Sequence, residues 1–147
     1  MAAQFNMSTY LQGQLVAHIF RTDSFTKPTV LAIALCSGIP TTASTGGTIP
    51  ELPFANGYAR TVLNPLDTNW AAITQVNGSG NTNNSVAITF PAATPGAWPT
   101  VSGIAIIDTT AYGSGNMLFF GTLSTPKTPG VSDQFQINVA SLNLYFD

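Results

Sequence analysis

Charge is what this sequence has least of. Lys, Arg, Asp and Glu together make up 7% of its 147 residues, where about 25% is usual for a globular chain. Hydrophobic residues stand at an ordinary 44%. A disordered chain pairs low hydrophobicity with high net charge, and this one has neither. Thr, Ser, Asn, Gly and Pro take the place of charge and supply turns and exposed strand faces. The four basic residues, Arg21, Lys27, Arg60 and Lys127, are scattered, and the net charge is −2. Phosphate binding needs clustered positive charge, so direct nucleic-acid binding is not expected.

Cysteine is scarcer still. Cys36 stands alone, which excludes an intrachain disulfide and a thiolate metal cluster. It lies in the apolar run at residues 30–36 and reads as a buried, inert thiol. His18 is the only histidine, set among apolar neighbours on a presumed helix, and reads as a hydrogen-bonded or surface residue. A serine or cysteine nucleophile needs a base held by a third group. No serine here sits in a Gly-x-Ser-x-Gly elbow. The glycine-rich stretches around Ser79 and Ser114 lack the lysine or helix start that phosphate binding requires.

The six acids, Asp23, Glu51, Asp67, Asp108, Asp133 and Asp147, never fall within four residues of one another. A calcium loop needs several oxygens from one short acidic stretch, which is absent. Asp108 and Asp133, beside turn residues, are expected to bond turn backbone. No catalytic residue, metal ligand or cofactor site emerges, and the expectation is a protein that is not an enzyme. The first residues lack the basic start and apolar core of a secretion signal. No apolar run approaches the ~20 residues that span a bilayer. Synthesis in a cytoplasm and no membrane partner are expected.

What is present reads as one mostly β domain over residues 1–147. Residues 1–22 form an N-terminal arm and helix: Ser8 is a natural N-cap, and Leu11, Leu15 and Ile19 recur every four residues, with Tyr10 and Val16 widening the stripe. Short strands separated by turns follow. They are predicted at residues 29–35, 58–63, 70–76, 86–90, 101–108 and 117–123, with a flexible connection at 77–81. The last two form the best hairpin. Residues 37–57 read as one long surface loop bearing Ile39, Ile49, Leu52 and Phe54, which either pack back on the domain or insert into a partner. Pro126 and Lys127 lie in a stiff exposed segment that either ends a hairpin or serves as a contact arm.

The final segment carries a phase change. Phe135, Ile137 and Val139 are apolar at odd positions, Leu142, Leu144 and Phe146 at even ones. Side chains alternate faces, so one straight strand cannot bury both sets. A bulge, or a bend between sheets near Ala140 and Ser141, restores the phase. The pattern predicts an all-β fold: an antiparallel, jelly-roll-like β-sandwich of seven or eight strands with a short N-terminal helix. It has no internal repeats.

Along nearly its whole length the chain resembles a family of small virion proteins of tailed bacteriophages. The likeness runs through Tyr10 and Leu11 and through residues 28–35, 56–60, 84–91, 98–108, 116–121 and 125–128. It ends in a Phe-containing final strand closing on Asp147. The resemblance implies a virion component, made in the host bacterial cytoplasm, with no enzymatic role. Some members of that family are capsid decoration or cement proteins; others carry a tail-fibre label. The sequence departs from the family pattern at residues 39–54, where a shorter loop, often with acidic residues, is usual.

Three functions are weighed. A capsid cement protein would bind the major capsid protein and copies of itself, its sparsely charged surface covered by neighbours. A tail, fibre or baseplate component is the second reading, weakened by the lack of a repeating shaft. A carbohydrate-binding module would use Tyr58, Trp70, Trp98 or Tyr112 as stacking platforms, although aromatics in a small sandwich are more often core. The candidate contact residues are Ile39, Ile49, Leu52, Phe54, Pro126 and Lys127.

Overall fold

A computed structural model of the chain describes residues 3–146. Ten strands and one helix follow in the order β1 (Ala3–Met7), α1 (Thr9–Phe20), β2 (Ala32–Cys36), β3 (Thr61–Val62), β4 (Thr74–Val76), β5 (Ser79–Asn83), β6 (Ile88–Ala92), β7 (Val101–Ile107), β8 (Met117–Lys127), β9 (Gln134–Ile137) and β10 (Leu142–Phe146). Eight strands form one sheet in the order β3-β2-β7-β8-β1-β10-β5-β4, and β6 pairs with β9 in a second, two-stranded sheet. The fold is mostly β with one short N-terminal helix, consistent with a β-sandwich.

The large sheet is mixed rather than wholly antiparallel, because β1 runs parallel to β10 with Phe5 opposite Leu144. This strand falls in what the sequence suggests is an arm. Its five residues, AQFNM, carry little alternation of their own, and pairing on both edges holds them.

The centre of the sheet, β2-β7-β8, is buried on both faces, as the near-continuous apolar run of β2 requires. Ile33, Leu35, Ile104 and Ile106 face the larger core, shared with Ile88 and Phe90 of β6 and Phe135 and Ile137 of β9. Ala34, Cys36, Ala105, Ile107, Met117 and Phe120 face the opposite side, where Ile49 covers them. The phase change in the last segment is the expected bend between sheets. Phe135 and Ile137 serve the small sheet, Leu142 and Leu144 the large one, and Ala140 turns the chain with φ +56. Val139 does not join either core and is exposed.

Several boundaries differ from the sequence expectation. The presumed flexible connection at 77–81 contains a tight hairpin: Val76 pairs with Ser79, and Asn77 and Gly78 take φ +52 and +86, the left-handed pair that a two-residue turn demands. Strand β6 continues past Phe90 through Pro91, and the register slips there against β9, since proline has no N–H for the ladder. Residues 58–63 contribute only the two-residue β3, and the side chains of Tyr58 and Arg60 before it bond Leu35 of β2, Glu51 and the β7–β8 turn.

The helix has the Ser8 N-cap foreseen, the Ser8 hydroxyl accepting from Leu11 N–H at 3.1 Å. Its apolar stripe behaves otherwise. Leu11 is buried and Leu15 partly so, but Ile19 is exposed. The helix is tied down at its start, where Ser8 N–H donates to Leu118 O and Thr9 N–H to Thr42 O, and its last three residues are exposed. Among the described residues no helix is long and apolar enough to cross a membrane.

Candidate partner-contact site

The loop at 37–57 is an ordered cover over one sheet face, held by a buried ion pair. Arg60 and Glu51 keep 1% and 4% of their side-chain surface exposed. Arg60 Nε donates to Glu51 Oε1 at 2.9 Å and Nη2 to Oε2 at 2.7 Å, a two-pronged contact. The other donors reach backbone: Nη2 to Gly46 O at 3.0 Å, and Nη1 to Thr109 O at 3.1 Å and Ser114 O at 3.0 Å. All five guanidinium N–H groups are thereby used. Tyr58 closes the cluster, its hydroxyl donating to Glu51 Oε1 at 2.9 Å and accepting from Leu35 N–H at 3.0 Å.

One side chain thus fastens the 37–57 loop to the turn between β7 and β8. The same junction carries Gly46 N–H donating to Gly115 O at 2.9 Å. A Cβ at Gly46 would collide with the Ser114 carbonyl, so only glycine allows this approach. Asp108 shapes the β7–β8 turn by accepting from Asn116 N–H at 2.7 Å and from its amide Nδ2 at 2.8 Å. Asp133 accepts from Gly130 N–H at 2.8 Å. Both acids bond turn backbone, as their neighbours in sequence suggest.

The surroundings of the ion pair keep Cys36 and Tyr58 protonated. Burial, reinforced by the Glu51 carboxylate and opposed by Arg60, pushes the Cys36 thiol up to about 12. Burial and Glu51 likewise hold the Tyr58 hydroxyl far above its ordinary value. At neutral pH neither is a nucleophile. His18 is exposed, its Nδ1 accepting from Phe25 N–H at 3.2 Å. Among the described residues no group of three His, Cys, Asp or Glu side chains is placed to hold a metal ion.

The loop's four apolar side chains divide. Ile49 and Leu52 pack back on the domain, one in each core, and offer a partner nothing. Ile39 and Phe54 remain exposed. Phe54 stands beside the exposed Tyr112 of the β7–β8 turn with ring centroids 5.4 Å apart. Ile39 lies towards the other end of β7, where Gly38 and Pro40 close on Gly103. Pro126 and Lys127 are exposed at the end of β8, Lys127 opposite Val101. They extend a strand rather than form a free arm. Of the aromatics weighed as stacking platforms, Tyr58 and Trp98 meet edge to face in the core at 5.5 Å, and Trp70 is partly buried. Only Tyr112 is exposed.

Two features escape a reading of the sequence. Val16, Ile19 and Phe20 form an exposed apolar face on α1. On the large core's side of the sheet, a cleft of about 710 Å³ opens between the sheet and the segment at 65–73. Phe119, Leu144 and Phe146 form part of its floor, and Leu66, Trp70 and Ile73 part of its wall.

No curated protein matches the chain at a significant level. Residues 6–145 match the family described as Podophage GP4 fiber I protein gp80, and with nearly the whole fold covered by that match the chain belongs to this family of phage structural proteins.

Proposed function

We propose that the chain is a non-catalytic structural subunit of a podophage fibre, assembled from copies of itself and seated on another protein of the particle. The observation that carries this is the character of the surface. It has few charges, yet it leaves Ile19, Phe20, Ile39, Phe54, Leu66 and Ile73 exposed. Monomers that live free in solution scatter such residues or screen them with charge. Here an ion pair stiffens the loop that presents Phe54, which lowers the ordering cost of a contact.

Capsid cement is the second reading. Short strands and a single domain without repeats favour a clamp between shell subunits over an elongated shaft. Copy number separates the two. Quantitative mass spectrometry of purified particles, with antibody labelling, should place a modest number of copies at the appendages. Hundreds of copies spread over the head would select the cement reading. Absence from particles would overturn both.

A further inference from the structure

Helix α1 carries a wider apolar arc than the sheet beneath it covers. At 3.6 residues per turn, Ile19 lies about 40°, Val16 about 100° and Phe20 about 140° round the helix from Leu15, so the arc continues past the face that Leu11 and Leu15 form. The Leu11 and Leu15 face rests on the chain's own sheet. The rest of the arc is open: Val16, Ile19 and Phe20 are 56%, 68% and 79% exposed. An apolar arc this broad is wider than one supporting surface covers, and its uncovered part is suited to a further contact. The same chain holds the 710 Å³ apolar cleft, whose wall residues Leu66 and Ile73 are 56% and 68% exposed.

We propose that this open face of α1 seats in the cleft of a second copy of the chain, each copy giving a helix and receiving one. The charges fit. Arg21 and Asp23 follow the helix with a loose, exposed contact of 3.8 Å. Lys27 and Asp67 edge the cleft. Each side brings one charge of each sign, so Arg21 can meet Asp67 while Asp23 meets Lys27. A reciprocal exchange closes on itself as a two-fold pair, whereas a one-way contact closes only as a ring or else propagates. The inference rests on the subunit reading above and specifies how copies join.

The full-length chain, analysed by size-exclusion chromatography with light scattering at micromolar concentration, should run as a closed oligomer. The Ile19→Asp/Phe20→Asp variant should run as a monomer with unchanged circular dichroism, since both side chains are already in water. Mixing Phe20→Cys copies with Ile73→Cys copies under mild oxidation should yield a mixed disulfide dimer. Cys36, fully buried, contributes no background. A wild-type chain that is monomeric throughout overturns the proposal, as does an oligomer that survives the double substitution or a mixture that gives no mixed dimer. If such a monomer is nevertheless found in particles, the subunit reading stands and only the helix exchange falls.

Discussion

Arg60 illustrates how a chain with ten charged residues spends two of them. Both charges leave water, a cost of several kcal/mol per ion unless geometry and further hydrogen bonds offset it. The two-pronged contact and three backbone carbonyls supply that offset. Removing one partner strands the other, so Arg60→Leu should destabilise the fold by about 3–5 kcal/mol, whereas Glu51→Leu/Arg60→Leu should recover much of the loss. Urea titration of the four species forms the cycle. Equal stabilities across it would mean the pair contributes nothing. These measurements are best made on the Ile19→Asp/Phe20→Asp background, so that association does not enter.

Cys36 yields a pH prediction at the same scale. Its folded value, about 12, lies above the ordinary 9.0. Below pH 9 the thiol is protonated in both states and stability does not depend on it. Between 9 and about 12 only the unfolded chain loses the proton, so stability falls by up to ~1.4 kcal/mol per pH unit. Tyr58, raised in the same sense, adds its own loss above pH 10. Cys36→Ala should lessen the slope between pH 9 and 10, read from denaturation midpoints. A thiol reagent should label the native protein only after unfolding.

At the scale of elements, the bend joining β9 to β10 depends on one side chain from elsewhere. Asn84 is fully buried. Its Nδ2 donates to Val86 O and Asn138 O at 2.8 Å each, and its Oδ1 accepts from Ser141 N–H at 3.1 Å and Leu142 N–H at 2.9 Å. These four bonds hold the chain as it passes from the small sheet to the large. Asn84→Leu has a similar size but takes this partner from Val86 O and Leu142 N–H and leaves Ser141 N–H and Asn138 O only their mutual contact at 3.2 Å, and should cost about 3 kcal/mol in chemical denaturation. A loss under about 1 kcal/mol would show that water or a shift of the bend replaces them. The helix makes the complementary point. Its N-cap is local and was visible in the sequence; which of its faces meets protein depends on where the sheet lies beneath it.

For the whole molecule, the sparse charge predicts the character of assembly. Contacts made through Val16, Ile19, Phe20 and the apolar cleft should respond little to ionic strength, because few charges are available to screen. Raising sodium chloride from about 50 mM to about 500 mM should leave the association constant within a factor of about 3, whereas sulfate, which is excluded from apolar surface, should strengthen it. Analytical ultracentrifugation checks both. A steep fall with chloride would assign the interface to ion pairs such as Arg21 with Asp67 instead.

The sequence by itself determined the β-rich class, the Ser8 cap, the doubly buried β2, the β7–β8 pairing, the turn roles of Asp108 and Asp133, and the bend before β10. Each follows from periodicity or from hydrogen bonds within a few residues, which local order encodes. The tertiary structure alone decided the rest: β1 beside β10, Ile49 and Leu52 inside while Ile39 and Phe54 stay out, Arg60 joined to Glu51, the exposed apolar face on α1, and the cleft beside residues 65–73. These depend on partners far apart in the chain or on which side of a sheet a segment comes to lie, and no local pattern carries that information.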